Sequence, residues 1–338
     1  MTEREPQALG AELTRRGVSR RSFLRFCGAM AAVLALPKGE AKVIAAALEA
    51  APRLPVVWLE FQDCTGDTES FIKAAQRRDP VESSLTDPGI AELVLEVLSV
   101  DYHETLMAAA GNWAEAARRA TLDAYAGRYL CVVEGSIPAA ANGVYCVIGG
   151  RTALSIVQEV TRQAVATIAL GACAVDGGLA AALPNPTGAL GVRQAVPGIA
   201  NLVSLPGCPA NVVNLVATVV YCLTYRKLPE LTSGRQPKFA YEKSVHEECE
   251  RHDFYEDEKF VLAWGDAGHR QGWCLRKMGC RGPSTRHNCP EVRWNGSTCW
   301  PVAAGHGCVG CASPSFWDNQ SPFYEPKGGE HDDEEDDN

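Results

Sequence analysis

The first two-thirds of the chain alternate short apolar runs with segments of helical periodicity. The runs are rich in Val, Ile and Leu and close on turn-forming residues, as expected of parallel strands buried on both faces. The predicted strands are Val56 to Glu60, Leu93 to Val100, Tyr129 to Glu134, Ala166 to Leu170 and Asn201 to Leu205. The predicted helices include Trp113 to Tyr125, Thr152 to Gln163 and Asn211 to Tyr225. The pattern predicts an α/β fold with a doubly wound parallel sheet over residues 54–230.

The pattern changes after Leu228-Pro229. Residues 237–320 have few apolar runs and are rich in Gly, Trp and Cys. Such a segment cannot build a large hydrophobic core, so much of its order must come from bound groups. We place a domain boundary near residues 229–240.

The N-terminus carries an export pattern. Ser19 to Arg25 (SRRSFLR) contains a twin arginine, and Phe26 to Pro37 is a weakly apolar stretch of signal-peptide length. We predict that residues 1–50 are a twin-arginine signal segment that directs export of the protein. Cleavage is expected within Ala45 to Ala51, so the mature fold begins near Leu54. The protein is then expected in the periplasm or on the outer face of the cytoplasmic membrane. The alternative is an ordinary basic amphipathic helix.

Composition narrows the classes of partner. The 338 residues are 46% hydrophobic, which is enough for one large or two medium domains, and the net charge of -9 argues against a nucleic-acid partner. Much of that charge lies in Glu330 to Asn338, and we expect residues 326–338 to form an acidic, disordered tail. No run of about 20 apolar residues occurs near the C-terminus, so no membrane anchor is expected there.

The C-terminal cysteines are spaced like cluster ligands. They read His246-x-x-Cys249, Cys274-x5-Cys280, Cys289 and Cys308-x-x-Cys311. One His with three Cys, followed by three more Cys, is enough for two adjacent iron–sulfur clusters. A disulfide framework and a zinc site are the alternatives. The chain is too large to need disulfide staples, which favours clusters.

Three further cysteines each follow an apolar run: Cys64, Cys173 and Cys208. Ligands of doubly wound sheets bind outside the carboxyl ends of the strands, so these thiols are expected to converge on one site. Each alone would be interpreted as a buried apolar Cys. The loop Thr65 to Glu69 also resembles a phosphate loop for FMN, although a flavin site has no use for Cys173 and Cys208.

The chain closely resembles the small subunit of [NiFe] hydrogenases. The resemblance covers nearly all of the sequence and rests on motifs in matching order and spacing: SRRSFLRF, PVVWLEFQDCTGDTES, VVEGSIP, GACAVDGG, PNPTGA, PGCP, WCLRKMGCRGP, NCP and WPVAAGHGCVGC. It implies a flavodoxin-like first domain followed by a loop-rich C-terminal domain ordered by iron–sulfur clusters. The implied ligands are Cys64, Cys173 and Cys208 for a proximal [4Fe-4S] cluster; His246, Cys249, Cys274 and Cys280 for a distal [4Fe-4S] cluster; and Cys289, Cys308 and Cys311 for a medial [3Fe-4S] or [4Fe-4S] cluster. Cys299 is a candidate fourth medial ligand.

One position departs from the family. The usual first motif is C-T-G-C, whereas Cys64-Thr65-Gly66-Asp67 places a carboxylate where a second thiolate is expected. We expect Asp67 itself to bind iron. The alternatives are that Cys131 or Cys146 supplies the fourth thiolate, or that the cluster has three irons. The change resembles a subset of hydrogenases from aerobic bacteria. Oxygen-tolerant membrane-bound relatives carry two extra Cys at the positions of Gly66 and Gly178, so this chain lacks that device.

The resemblance implies an electron-transfer subunit of an uptake hydrogenase. The chain lacks the paired C-x-x-C motifs that would hold nickel and iron, so H2 chemistry is expected in an obligate NiFe large subunit. The downstream acceptor would be a membrane cytochrome or a quinone-linked protein. Two alternatives are the iron–sulfur subunit of a quinone reductase and a stand-alone ferredoxin-like or flavodoxin-like carrier. Buried, non-ligand roles are expected for Cys27, Cys131, Cys146 and Cys222.

Overall fold

The computed structural model describes residues 19–73, 98–294 and 297–326. Its main sheet has five parallel strands in the order β2-β1-β3-β4-β5. They are β1 (Leu54–Glu60), β2 (Leu98–His103), β3 (Leu130–Glu134), β4 (Ala166–Leu170) and β5 (Leu202–Leu205). This is the flavodoxin-like order, with its switch point between β1 and β3. The predicted fold class is confirmed; residues 93–97 of the second predicted strand lie outside the described residues.

Six longer helices accompany the sheet. They are α1 (Arg20–Val33), α2 (Glu40–Ala50), α3 (Gly66–Lys73), α4 (Asn112–Ala124), α5 (Ala153–Arg162) and α6 (Val212–Tyr225). Shorter helices span Gly171–Asp176, Gly178–Ala181, Val192–Ala195, Lys238–Tyr241, His252–Glu256, Ala267–Arg270, Cys289–Val292 and Phe316–Asn319, with 3-10 turns at Ala140–Gly143 and Arg276–Met278. Two short antiparallel pairs join Ile137–Pro138 to Ala189–Leu190 and Val147–Ile148 to Arg151–Thr152.

Two apolar layers cover the two faces of the sheet. Alternation along β3 sends Val132 into one layer, with Trp58 and α6, and Val133 into the other, with Ile156 of α5. Both layers are almost fully shielded from water, which explains why the strands read as continuous apolar runs in the sequence.

Side-chain caps start two of the predicted helices. The Thr152 side chain accepts a hydrogen bond from the Ser155 backbone N–H, 3.2 Å away, at the start of α5. Asn211 accepts from the Val213 backbone N–H, 2.9 Å away, at the start of α6. These caps satisfy amide donors that have no partner within the helix, so the helices begin one residue later than the predicted segments.

The N-terminal helices α1 and α2 lie against α6. Phe26, Met30, Ile44 and Leu48 are buried in the same apolar layer as α6 and the sheet. The Tyr225 hydroxyl at the end of α6 donates a hydrogen bond to Glu40 of α2. The described part of the predicted export segment, residues 19–50, is therefore an ordered part of the fold, which the sequence did not predict. Its export and cleavage remain predictions.

The C-terminal region has a much smaller core. Its apolar centre consists of Val245, Val261, Leu275, Trp300 and Val302, with several cysteines packed around it. The helices there have at most five residues. In the part of the chain that the structure describes, no helix has the length and apolar character needed to cross a membrane.

Candidate metal-cluster sites

The proximal group lies at the carboxyl edge of the sheet. Cys64 follows β1, Cys173 lies in the helix Gly171–Asp176 directly after β4, and Cys208 follows β5. Burial raises the pKa of the Cys173 thiol to about 12, and the charges of Cys208, Asp67 and Cys64 act in the same direction. Burial raises the pKa of Cys208 to about 11, with Cys311, Asp67 and Cys64 acting in the same direction. The structure therefore brings the three strand-end thiols and Asp67 into one electrostatic neighbourhood.

Two glycines leave room for these sulfurs. A Cβ atom built on Gly66 would lie 3.0 Å from the Cys64 Sγ, and one on Gly178 would lie 2.6 Å from the Cys173 Sγ. Gly178 also has a positive φ of 51°, which strains any residue with a side chain. Both positions thus face the sulfur atoms of cysteines that are predicted proximal ligands.

Asp67 is buried inside this group. Its Oδ1 accepts a hydrogen bond from the Ala210 backbone N–H, 2.5 Å away. A Cβ on Gly171 would lie 2.0 Å from its Oδ2, so only glycine fits beside the carboxylate. Burial raises the pKa of Asp67 to about 7, against the effect of the Ala210 hydrogen bond. Cys131 and Cys146, the alternative ligands, instead pack with the apolar layer around α5.

Glu134 holds the loop after β1 that carries Asp67 and Thr68 in place, a role that the sequence did not predict. Its carboxylate accepts hydrogen bonds from the backbone N–H groups of Asp67 and Thr68, at 3.0 and 3.2 Å. It also accepts from the Thr68 hydroxyl at 2.5 Å and from the Trp58 indole at 3.0 Å. A fully buried acid at the end of an apolar strand, Val132-Val133-Glu134, was the available clue.

The distal group surrounds one small cavity. His246, Cys249, Cys274 and Cys280 all line it, together with Val302. Burial raises the pKa of Cys249 to about 11, and the nearby charges of Cys280 and Cys274 add to the rise. Burial lowers the pKa of His246, with His252 and Arg276 acting in the same direction. The site thus favours a neutral imidazole beside three thiols.

The medial group lines a larger cavity of about 670 Å³. Cys289, Cys308 and Cys311 face it, and so do Cys299 and Trp300. Burial raises the pKa of the Cys289 thiol, and the charge of Cys311 acts in the same direction. A hydrogen bond from the Trp294 side chain opposes this rise. All three predicted medial cysteines are brought together, and Cys299 lies on the wall of the same cavity.

The three groups adjoin one another in a row. The Cys308 backbone N–H of the medial group donates to the Sγ of distal Cys280, 3.2 Å away. On the other side, burial raises the pKa of medial Cys311, and a backbone hydrogen bond from proximal Cys208 opposes this rise. The medial cavity also reaches Gly66 and Cys208. The medial group therefore lies between the other two.

The strand order and the thiols at the carboxyl edge of the sheet define the class: a flavodoxin-like α/β protein with groups of clustered thiols. Two family models match the chain. Residues 241–324 match the C-terminal region of NiFe/NiFeSe hydrogenase small subunits, and residues 64–222 match the 20 kDa subunit family of NADH ubiquinone oxidoreductase.

Individual hydrogenase small subunits match this chain over most of its length. It is 44% identical to periplasmic [NiFe] hydrogenase small subunit 1 of Nitratidesulfovibrio vulgaris, covering 94% of this chain and 96% of that protein. It is 41% identical to the uptake hydrogenase small subunit of Azotobacter vinelandii, covering 93% and 84%. The solved [NiFeSe] hydrogenase of Dm. baculatum superposes with a TM-score of 0.73 at 32% identity, covering 82% of this chain and 100% of that one.

A second solved structure, the actinobacterial-type NiFe-hydrogenase of Ralstonia eutropha H16, superposes with a TM-score of 0.70 at 25% identity, covering 83% and 84% of the two chains. The chain belongs to the family of [NiFe] hydrogenase small subunits. It is accordingly a component of a hydrogenase, an oxidoreductase that acts on H2.

Proposed function

We propose that this chain is the electron-transfer small subunit of an uptake [NiFe] hydrogenase, with three iron–sulfur clusters that link a NiFe large subunit to an external acceptor. The observation that carries this proposal is the row of three ligand groups, in which Cys208 adjoins Cys311 and Cys308 adjoins Cys280. Each iron–sulfur cluster, when bound, supplies a one-electron redox centre. Chemistry on H2 belongs to the large subunit, because this chain has no paired C-x-x-C motifs for nickel.

The ligand groups fit iron in their charge and burial. Burial raises the pKa values of the Cys249, Cys274 and Cys280 thiols, and the charge of Cys280 adds to the rise at the other two. Buried thiolates this close together are unfavourable unless a cation neutralises them, and thiolates are the ligands that iron–sulfur clusters require. A neutral His246 completes the distal set, since only the unprotonated nitrogen binds a metal.

Asp67 is the proposed fourth ligand of the proximal cluster. Its Oδ1 is occupied by the Ala210 backbone N–H, which leaves Oδ2 to bind iron. A carboxylate is a harder donor than a thiolate, so we expect a higher reduction potential than at a site with four Cys. That would favour withdrawal of electrons from the nickel centre.

Variants of Asp67 test this assignment. Asp67→Cys restores the common C-T-G-C loop and should lower the proximal potential while keeping four irons. Asp67→Ala should lose one iron or recruit another ligand. Redox titration followed by EPR separates these cases, and an unchanged proximal signal in both variants would show that Asp67 is not a ligand.

His246 marks the proposed exit for electrons. It is half-buried and packs against His252 and Tyr255, with ring centroids 4.7 and 4.6 Å away. His246→Ala should slow H2-dependent reduction of external acceptors while leaving H/D exchange in the large subunit largely intact, because exchange needs no electron wire. Equal loss of both activities would contradict an exit role.

Export and partner binding complete the proposal. Arg20 and Arg21 are exposed at the start of α1, where an export receptor could bind them. The name of the Nitratidesulfovibrio relative places that protein in the periplasm, which supports export of this one. Cys299, on the wall of the medial cavity, is a candidate fourth ligand of a medial cluster with three or four irons. A membrane cytochrome or quinone-linked protein is the proposed acceptor.

Dependence on the large subunit is tested by purifying the chain with and without it. The isolated chain should bind iron and sulfide but should neither take up nor evolve H2, whereas the complex should reduce dyes with H2. Dye reduction by the chain alone would overturn the division of labour between the subunits. A complex without H2 oxidation despite a full set of metals would overturn the proposed function.

A further inference from the structure

The medial cavity contains a hydrogen-bond donor with no acceptor. Trp300 is 2% exposed and lines this cavity. Among the residues that the structure describes, none accepts a hydrogen bond from its buried indole N–H. Buried donors in folded proteins are nearly always paired, because a lost hydrogen bond to water is otherwise not replaced. The missing acceptor must therefore come from what fills the cavity.

The chemistry of the cavity narrows that acceptor. The same wall carries Cys289, Cys308 and Cys311, the three proposed medial ligands. An indole N–H only donates, so its partner must be an electron-rich atom. Within this set of thiols, the acceptors that become available on cluster binding are sulfur atoms.

A second tryptophan shows that indole–sulfur contact already occurs here. The Trp294 side chain forms a hydrogen bond with the Cys289 thiol. The Trp294 side chain therefore already hydrogen bonds to the sulfur of a proposed ligand, whereas the Trp300 N–H is available for a different sulfur atom. The two indoles approach the same cavity from different positions in the segment between Cys289 and Cys308.

We propose that Trp300 donates a hydrogen bond to a sulfur atom of the medial cluster and thereby raises its reduction potential. A donor stabilises the more negative, reduced state, and hydrogen bonds to cluster sulfurs are one of the means by which proteins set cluster potentials. In this role Trp300 changes the reduction potential of the cluster through a hydrogen bond and is not one of its ligands. The inference rests on the proposed function, since it requires a medial cluster.

The test compares Trp300→Phe with the wild-type chain in complex with its large subunit. Phe keeps the aromatic packing and removes the N–H. We expect the iron content to be unchanged, the medial potential to fall, and an exchangeable-proton coupling to the paramagnetic medial cluster, seen by ENDOR in H2O and absent in D2O, to be lost. If Phe disturbs folding, Trp300→3-benzothienylalanine preserves the bicyclic shape without the N–H.

Trp317→Phe is the matched control. Its indole N–H is also buried without an acceptor among the described residues, but Trp317 is not on the wall of the medial cavity. It should leave the medial potential and the proton coupling unchanged. An unchanged potential and coupling in both Trp300 variants, or an equal shift in Trp317→Phe, would overturn the inference. A wild-type complex with no medial cluster would instead overturn the proposed function.

Discussion

The two halves of the chain place their ligand groups by different means. In residues 54–230, Cys64, Cys173 and Cys208 follow strands whose side chains fill two apolar layers, so the sheet fixes the proximal group. In residues 237–320, the core is small, and the cysteines are themselves a substantial part of it. The comparison indicates that the first half can fold before iron is bound, whereas the second half depends on iron for its order.

Removal of iron should therefore produce the largest difference in backbone order between the two halves of the chain. After chelation, we expect backbone amides of residues 244–320 to lose nearly all hydrogen-exchange protection, while β1 and β3 to β5 keep theirs. Hydrogen exchange with mass spectrometry measures both halves in one sample. Uniform loss of protection, or none, would show that the halves do not differ in this way.

A single ligand substitution should reproduce part of that effect. Cys280 lines the distal cavity and accepts a hydrogen bond from the Cys308 backbone N–H. Cys280→Ser should lose the distal cluster, about four irons per chain, and weaken the medial site beside it. Cys222→Ser on α6 is the control, because Cys222 lines neither ligand cavity. Iron analysis should show a loss only in the first variant.

Matched core substitutions sharpen the comparison. Leu59 in β1 is 0% exposed and Leu275 beside Cys274 is 1% exposed. Leu59→Ala should cost about 2–5 kcal/mol of unfolding free energy both with and without iron, because its cavity forms in a core that needs no metal. Leu275→Ala should be costly only with iron bound. Denaturant unfolding of both variants in both states decides this, and equal iron dependence would contradict it.

The smallest expected effect concerns pH. Burial raises the pKa of Asp67 from its ordinary value of 3.8 to about 7 in the iron-free fold. The stability that the protonated carboxyl contributes is present below pH 3.8 and is lost as the pH rises through about 7. Asp67→Asn keeps an acceptor for the Ala210 N–H and should flatten this decline. The melting temperatures of the iron-free wild-type and Asp67→Asn proteins between these pH values measure the decline. Parallel plots of melting temperature against pH would show that Asp67 does not cause it.

The ends of the strands were the most predictable feature, because an apolar run and the turn-forming residues that end it lie within a few residues of one another in the sequence. The sequence predicted β4 at Ala166–Leu170 and the thiols that follow β1, β4 and β5. Glu134 was not predicted, because its partners Trp58, Asp67 and Thr68 are distant in sequence. The packing of α1 on α6 was also missed, since a sequence of signal-peptide character gives no sign of its tertiary contacts. The role of Trp300 likewise depends on a cavity formed by several segments.

The most direct test of the row of clusters is Mössbauer spectroscopy of the 57Fe-enriched complex, combined with EPR during a redox titration. We expect about 11 or 12 irons in clusters per small subunit, resolved into three magnetically interacting centres. About eight or fewer cluster irons, or three centres without magnetic interaction, would contradict the proposed wire.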